Sequence, residues 1–115
     1  MNQPERREVS ALQRASVLEA LKDSDGYRIY KSGRIYLRRV GFDPLQVAIT
    51  DLVDYLEAGH RLYIFPDDPR KCQCCLRYED NLIVYAKITP SDDGGRLIVL
   101  LDFHSHNTGH PPLPS

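Results

Sequence analysis

Residues 43–59, DPLQVAITDLVDYLEAG, carry the strongest local structural signal in the sequence. Its apolar side chains recur every three or four positions, so a helix would align them in one stripe: Leu45, Ala48, Ile49, Leu52, Val53 and Leu56. Asp43 and Pro44 suit the N-cap and the first helical position, and Gln46 completes the spacing of a capping box. Gly59 is typical of a helix end. The pattern predicts a central helix that packs on a sheet through this stripe.

The pattern changes after residue 60, where apolar residues alternate with polar ones or form short runs. This change predicts four strands, at residues 61–65, 73–78, 82–89 and 96–103. The residue types that turns require fill the segments between them: 66–69, 79–81 and 90–95. Because connections this short cannot hold a crossover helix, the four strands are predicted to pair antiparallel as a meander.

The first forty residues predict one helix and a less clear second element. Residues 9–21 carry apolar side chains at helical spacing, which indicates a helix. Residues 27–30 and 34–38 alternate around Ser32-Gly33 and predict a short hairpin, although helix and loop would fit the same stretch. The predicted fold is α+β, with helices on one face of a curved antiparallel sheet, in the order α-(ββ)-α-β-β-β-β.

Length and composition set limits on the class of protein. A chain of 115 residues with 42% hydrophobic residues builds one core, which excludes a two-domain enzyme. We expect a single domain over residues 1–106 and a proline-rich tail over residues 107–115. No apolar run approaches the roughly 20 residues of a membrane span. The first twelve residues lack the layout of a secretory signal, so a cytoplasmic protein is expected.

Charge is unevenly distributed along a chain whose net charge is only -1. Residues 26–42 contain no acidic side chain and five basic ones: Arg28, Lys31, Arg34, Arg38 and Arg39. One interpretation is a solvated edge strand whose charges prevent pairing between sheets. The other is an RNA-binding face, because arginine and lysine supply most non-specific affinity for nucleic-acid phosphates.

The cysteines and histidines offer the residue types of a zinc site: Cys72, Cys74, Cys75, His104, His106 and His110. However, neighbouring residues of a strand point to opposite faces, so the C-x-C-C spacing would separate Cys74 from Cys75. We therefore predict no metal site. Buried thiols that fill a core are the more usual outcome. A catalytic cysteine would need an electropositive setting that the sequence does not indicate.

A set of polar residues on the predicted meander could support catalysis: Arg61, Gln73, Tyr85, Lys87 and His104. Tyr85 and Lys87 are two residues apart and should share one face of the sheet. These side chains either line a solvated face or perform RNA cleavage without a metal or other cofactor. In that reaction a base takes the ribose 2′-hydroxyl proton, cations stabilise the phosphate, and an acid protonates the leaving oxygen.

Several features between residues 37 and 103 are shared with a known family. VGFD at residues 40–43 opens a helix, strands carrying Arg61 and Gln73 follow, and VYAKI occupies residues 84–88 before a closing strand. In this order the chain resembles the motility quorum-sensing regulator toxins of the RelE-type bacterial mRNA interferases. The segment 90–95 is expected to form a longer turn than that family uses.

The resemblance implies a site. Arg61 corresponds to a lysine of the family on the strand after the central helix. Gln73 corresponds to its glutamine and Tyr85 to its tyrosine, while His104 falls near its last-strand lysine. Arg61 and His104 therefore differ in type from the residues of the family.

The resemblance also implies a function and partners. A toxin of this kind would be a metal-independent endoribonuclease that acts on mRNA and is neutralised by a cognate antitoxin protein. The alternative is a non-enzymatic protein-binding or RNA-binding module of a phage or mobile element on the same fold. Growth arrest on expression would distinguish the two, while the oligomeric state stays open.

Overall fold

Three helices and five strands make up residues 7–65 and 68–105, the part of the chain that the computed structural model describes. In chain order they are α1 (Ala11–Leu21), β1 (Tyr27–Ile29), α2 (Lys31–Arg39), α3 (Gln46–Glu57), β2 (Tyr63–Phe65), β3 (Asp68–Arg77), β4 (Ile83–Asp93) and β5 (Arg96–His104). A short 3-10 turn, Glu79–Asn81, joins β3 to β4. The α+β class is confirmed, and the predicted tail lies outside the described residues.

The strands form one sheet in the order β1-β5-β4-β3-β2. The predicted antiparallel meander of β2 to β5 is confirmed. The prediction of a wholly antiparallel sheet is wrong, because β1 pairs parallel with β5, with Tyr27 opposite Val99. The chain travels from β1 at one edge to β2 at the other through α2 and α3, so β1 and β2 are not neighbours.

The predicted hairpin at residues 27–38 is half wrong. Its first half is β1, but residues 34–38 belong to α2. Gly33 and Leu37, four positions apart, are the buried residues of α2, and the charged residues occupy its exposed side. An apolar pattern over so few residues fits a helix and a strand equally well. Gly33 and Leu37 lie on the same side of a helix because they are four residues apart, so their joint burial favours the helix.

The central helix α3 begins later than its capping signals predict. It starts at Gln46, and no side chain caps it. The N–H groups of Val47 and Ala48 donate instead to the carbonyls of Pro44 and Leu45, at 3.2 and 3.0 Å. A tight first turn of this kind gives acceptors to backbone N–H groups that the side chains of a capping box would otherwise satisfy.

The segment 90–95 is not the long turn that was expected. β4 continues to Asp93, and Asp93 pairs with Arg96 across a two-residue turn. Gly94 and Gly95 fill that turn with φ angles of 63° and 85°. Two positive φ angles are the requirement of a tight hairpin turn, and glycine meets it at low cost.

The main core lies between the helices and one face of the sheet. The predicted stripe of α3 is confirmed in its buried part: Ala48, Ile49, Leu52 and Leu56. Alternate strand residues complete this core: Cys72, Cys74, Leu76, Val84, Ala86, Ile88, Val99, Leu101 and Phe103. In the described part of the chain, no helix combines the length and apolarity that crossing a membrane requires.

Candidate functional site

The strand residues that alternate with those of the main core form the opposite face of the sheet. We call it the distal face and define it by Tyr63, Gln73, Cys75, Tyr85, Lys87 and His104. A second, smaller apolar cluster lies there, formed by Tyr63, Cys75 and Tyr85 with Ile83 packed against it. The two-residue period of a strand explains the division, because successive side chains point to opposite faces.

The register of the sheet arranges the distal face in two rows. The first row crosses four strands in the order Tyr63, Gln73, Lys87, Asp102. The second row crosses three strands in the order Cys75, Tyr85, His104. Two residues of strand separate the rows, which is about 7 Å.

The rows bring together four of the five residues predicted as catalytic. Gln73 and Lys87 are direct partners in the first row, and Tyr85 and His104 are partners in the second. The prediction that Tyr85 and Lys87 share one face is thereby confirmed. The four side chains come from the three strands that end the meander, so their proximity depends on correct register.

Tyr85 and His104 form an aromatic pair. Their ring centroids lie 6.1 Å apart and their planes are nearly parallel, at 16°. This is the geometry of an offset stack, which fixes the orientation of both rings. Tyr85 is 9% exposed and His104 is half-buried. A phenol and an imidazole thus stand beside each other, and both can transfer a proton.

Lys87 lies near an aromatic ring rather than a carboxylate. Its Nζ is 4.8 Å from the ring centroid of Phe65, which is within the range of a cation–π contact. Phe65 belongs to β2 and Lys87 to β4, so the lysine side chain must cross β3, the strand that carries Gln73. Within residues 7–65 and 68–105, Lys87 makes no ion pair.

Two buried polar residues, Tyr63 and Gln73, form the end of the first row that lies opposite Asp102. Gln73 is 2% exposed and Tyr63 is 3% exposed. Neither Gln73 Nε2 nor Tyr63 Oη has a hydrogen-bond partner among the described residues. The sequence prediction missed Tyr63, because only the pairing of Tyr63 with Gln73 places its hydroxyl in this row.

Arg61 does not join the other four predicted residues. It precedes β2, its side chain is 65% exposed, and its Nε lies 3.8 Å from a carboxylate oxygen of Glu8. The backbone of Glu8 forms an isolated antiparallel β-bridge with Tyr63 at the outer edge of β2. Exposed ion pairs of this kind contribute little to stability.

Four of the five basic residues predicted to bind RNA lie on α2, which removes the edge-strand interpretation for them: Lys31, Arg34, Arg38 and Arg39. All four are exposed, and within the described ranges none of them forms an ion pair. Arg28 differs, since it lies on β1 and donates to the backbone carbonyls of Asp25 and Tyr27. The structure therefore presents a basic helix with unneutralised charge.

The basic helix is joined to the first row of the distal face. The Ser32 hydroxyl, in the first turn of α2, donates to Asp102 Oδ1 at 3.1 Å. The backbone N–H of Phe103 donates to the same oxygen at 3.0 Å. Asp102 ends the first row, so α2 begins where that row stops.

The three cysteines are divided between the two faces, as predicted from their spacing. Cys72 and Cys74 lie in the main core and Cys75 on the distal face, and all three are buried. Burial raises the pKa of Cys72 to about 12 and also raises the pKa of Cys74 and of Cys75. At neutral pH these thiols are protonated, which is the opposite of what a nucleophile needs.

The part of the chain that is described contains no group of three or more His, Cys, Asp or Glu side chains arranged to hold a metal ion. His106 and His110, which the zinc interpretation included, lie outside the described residues.

Comparisons with known protein families, with curated proteins and with solved structures find no match to this chain.

Proposed function

We propose that this protein is a small bacterial toxin of RelE-like architecture, a metal-independent endoribonuclease that cleaves mRNA. The observation that carries the proposal is the stacked pair of Tyr85 and His104 beside the first row. A phenol, an imidazole and an ammonium on one face are the groups that RNA cleavage needs when side chains alone move the protons.

The reaction assigns a role to each group. His104 accepts the proton of a ribose 2′-hydroxyl as its oxygen attacks the adjacent phosphorus. The P–O5′ bond breaks, and Tyr85 gives its proton to the departing 5′-oxygen. The products are a 2′,3′-cyclic phosphate and a 5′-hydroxyl. Lys87 lies on the same face two residues from Tyr85, and its ammonium would leave the Phe65 ring to offset the negative charge that grows on the phosphate oxygens.

The basic helix α2 supports the same substrate by binding RNA away from the reacting bond. Its exposed cations would contact backbone phosphates and release counterions, so affinity should fall steeply as salt concentration rises. Contacts of this kind position the RNA and carry no sequence information. Binding by α2 and chemistry at the second row should therefore be separable by mutation.

The test compares two sets of variants. His104→Ala and Tyr85→Phe should abolish growth arrest and RNA cleavage while leaving RNA affinity nearly unchanged. The double variant Arg34→Ala, Arg38→Ala should weaken RNA affinity and flatten its salt dependence. Arg70→Ala is the matched control, because Arg70 is an exposed arginine of β3 whose partner is Asp68. Circular dichroism should verify the fold of each variant.

Toxicity that survives both His104→Ala and Tyr85→Phe would reject the catalytic role of the distal face. Wild-type protein that neither cleaves RNA nor arrests growth would reject the enzyme altogether. A non-enzymatic RNA-binding module would then stand, and the exposed cations of α2, which form no ion pair within residues 7–65 and 68–105, favour that second candidate.

The proposal also fixes the setting in which the protein acts. Its substrate is cytoplasmic mRNA, and a cognate antitoxin would keep the enzyme inactive by covering the distal face or α2. Co-expression of a neighbouring antitoxin gene should restore growth.

A further inference from the structure

We infer that Tyr63, Gln73 and Lys87 form a phosphate-binding subsite on the distal face, next to the Tyr85–His104 pair. The inference rests on the proposed function in taking the phosphate to be one of the RNA backbone. It adds Tyr63 to the site and assigns Gln73 and Lys87 to binding a phosphate group.

Tyr63, Gln73 and Lys87 are neighbours in the sheet. Tyr63 is the direct partner of Gln73 between β2 and β3, and Gln73 is the direct partner of Lys87 between β3 and β4. Direct partners on one face of a sheet have Cβ atoms about 5 Å apart. The three side chains therefore occupy adjacent positions across three strands.

Two members of this subsite, Tyr63 and Gln73, carry buried polar groups. Gln73 Nε2 and Tyr63 Oη are buried and find no hydrogen-bond partner among the described residues. Buried polar groups in folded proteins are nearly always paired, because an unpaired group loses its water without compensation. Gln73 Nε2 is a donor and the Tyr63 hydroxyl can donate, so one partner with acceptor oxygens would satisfy both groups.

Lys87 gives the subsite a positive charge. Lys87 brings an ammonium that contacts the Phe65 ring, and it forms no ion pair within the described ranges. The one carboxylate of the row, Asp102, is held by Ser32 and by the Phe103 N–H. A partner that accepts from two donors and neutralises an ammonium is an anion, and phosphate oxygens are strong acceptors of this kind.

The position of the Lys87 side chain controls access to Gln73. The Lys87 side chain crosses β3 to reach Phe65 and so passes over Gln73. Lys87 is half-buried and has a long, flexible stem. Movement of its ammonium from the Phe65 ring to a phosphate would expose the Gln73 amide to that phosphate. The lysine thus serves as both cover and ligand.

The experiment measures phosphate binding without cleavage. The full chain is titrated by calorimetry with adenosine 3′-monophosphate, with inorganic phosphate and with adenosine. Wild-type protein should bind the two phosphates and not adenosine. Tyr63→Phe should weaken phosphate binding by about tenfold, the worth of a charge-assisted hydrogen bond, and should raise the melting temperature by removing a buried unpaired hydroxyl.

Tyr36→Phe is the matched control. Tyr36 Oη is also buried and without a partner among the described residues, but Tyr36 belongs to α2 and packs against the main core. This variant should not lose melting temperature and should keep wild-type phosphate affinity. Lys87→Gln should lower phosphate affinity and reduce its dependence on salt.

The outcomes separate this inference from the proposed function. Equal phosphate affinity of wild type and Tyr63→Phe, or binding of adenosine as tight as that of its 3′-phosphate, would overturn the subsite even if RNA is cleaved. Phosphate binding that His104→Ala preserves and Tyr63→Phe weakens supports the subsite, whether or not the wild-type protein cleaves RNA. Wild-type protein that binds neither phosphate overturns it.

Discussion

Gly33 of α2 lies directly against Asp102 of β5. A Cβ atom at residue 33 would stand 2.9 Å from Asp102 Oδ1 and 2.9 Å from the backbone nitrogen of Phe103. The neighbouring Ser32 hydroxyl donates to the same carboxylate oxygen. This contact sets the distance between the basic helix and the end of the first row.

Gly33→Ala should therefore destabilise the protein. Alanine favours a helix interior over glycine by about 1 kcal/mol, but the new methyl group would meet backbone that cannot move alone. Overpacking of this kind costs about 1–3 kcal/mol, so we expect a net loss in the free energy of unfolding in urea. Ser32→Ala is the control, since it removes the hydroxyl and adds no volume. A Gly33→Ala variant as stable as wild type would show that α2 can shift away from β5.

Leu52→Ala should create a cavity under the central helix. Leu52 is fully buried in the main core, and large-to-small changes at such positions cost about 2–5 kcal/mol. The matched control on α3 is Val47→Ala, because Val47 is 43% exposed and its truncation leaves no cavity. An equal effect of the two changes on the urea midpoint would contradict the assignment of the buried face.

Stability should decline at alkaline pH, and Tyr55 should account for part of the decline. Burial is the main cause that raises the pKa of Tyr55 from 10.0 to about 12; smaller electrostatic contributions from Cys74, Cys75 and Tyr63 act in the same direction and Arg77 opposes them. A raised pKa means that the folded state holds this proton longer than the unfolded state. The corresponding stability is complete below pH 10 and is lost as the pH rises toward 12.

Tyr55→Phe removes that titration and keeps a ring that can stack on His60, whose centroid lies 4.2 Å away. The free energy of unfolding of this variant should fall less steeply than that of wild type between pH 10 and 12. Parallel curves for the two proteins in this window would show that Tyr55 titrates normally in the fold.

The cysteine thiols should resist modification in the native state. All three are buried, and their raised pKa values keep them protonated near neutrality. Ellman's reagent at pH 8 should therefore react slowly with native protein and should titrate three thiols at once in denaturant. Immediate labelling of one thiol in native protein would point to Cys75, which alone lies on the distal face.

The elements whose apolar pattern extends over many residues could be predicted from sequence, and the short helix α2 and the parallel pairing of β1 with β5 could not. The stripe of α3 and the alternation of β3 to β5 each extend over two or more turns or pairs, so the period is unambiguous. Residues 31–39 are too few to distinguish a helical period from a strand period. Gly33 resembles a turn residue until its contact with Asp102 is known.

In the candidate site, too, contacts within one strand could be predicted from sequence and contacts between strands could not. Alternation alone places Tyr85 and Lys87 on one face, because both lie on one strand. The first row depends on the pairing of Tyr63 with Gln73 and of Gln73 with Lys87, and pairing is set by the register of three separate strands. Arg61 illustrates the converse, since β2 begins two residues after it and its side chain turns to Glu8.

The tight turn between β4 and β5 yields a prediction that isolates backbone conformation. Gly95 has a φ of 85°, and a Cβ at this position would meet nothing within 4 Å. Its N–H donates to Asp92 Oδ1 at 2.8 Å, a bond that any residue other than proline retains. Gly95→Ala should therefore lower the free energy of unfolding by about 1–2 kcal/mol through φ alone. Gly95→Asn should lose less, because asparagine tolerates positive φ. The rows of the distal face lie toward the other end of this hairpin, so both variants should retain RNA affinity while folded. Equal urea midpoints for wild type and Gly95→Ala would show that the turn can adopt another conformation.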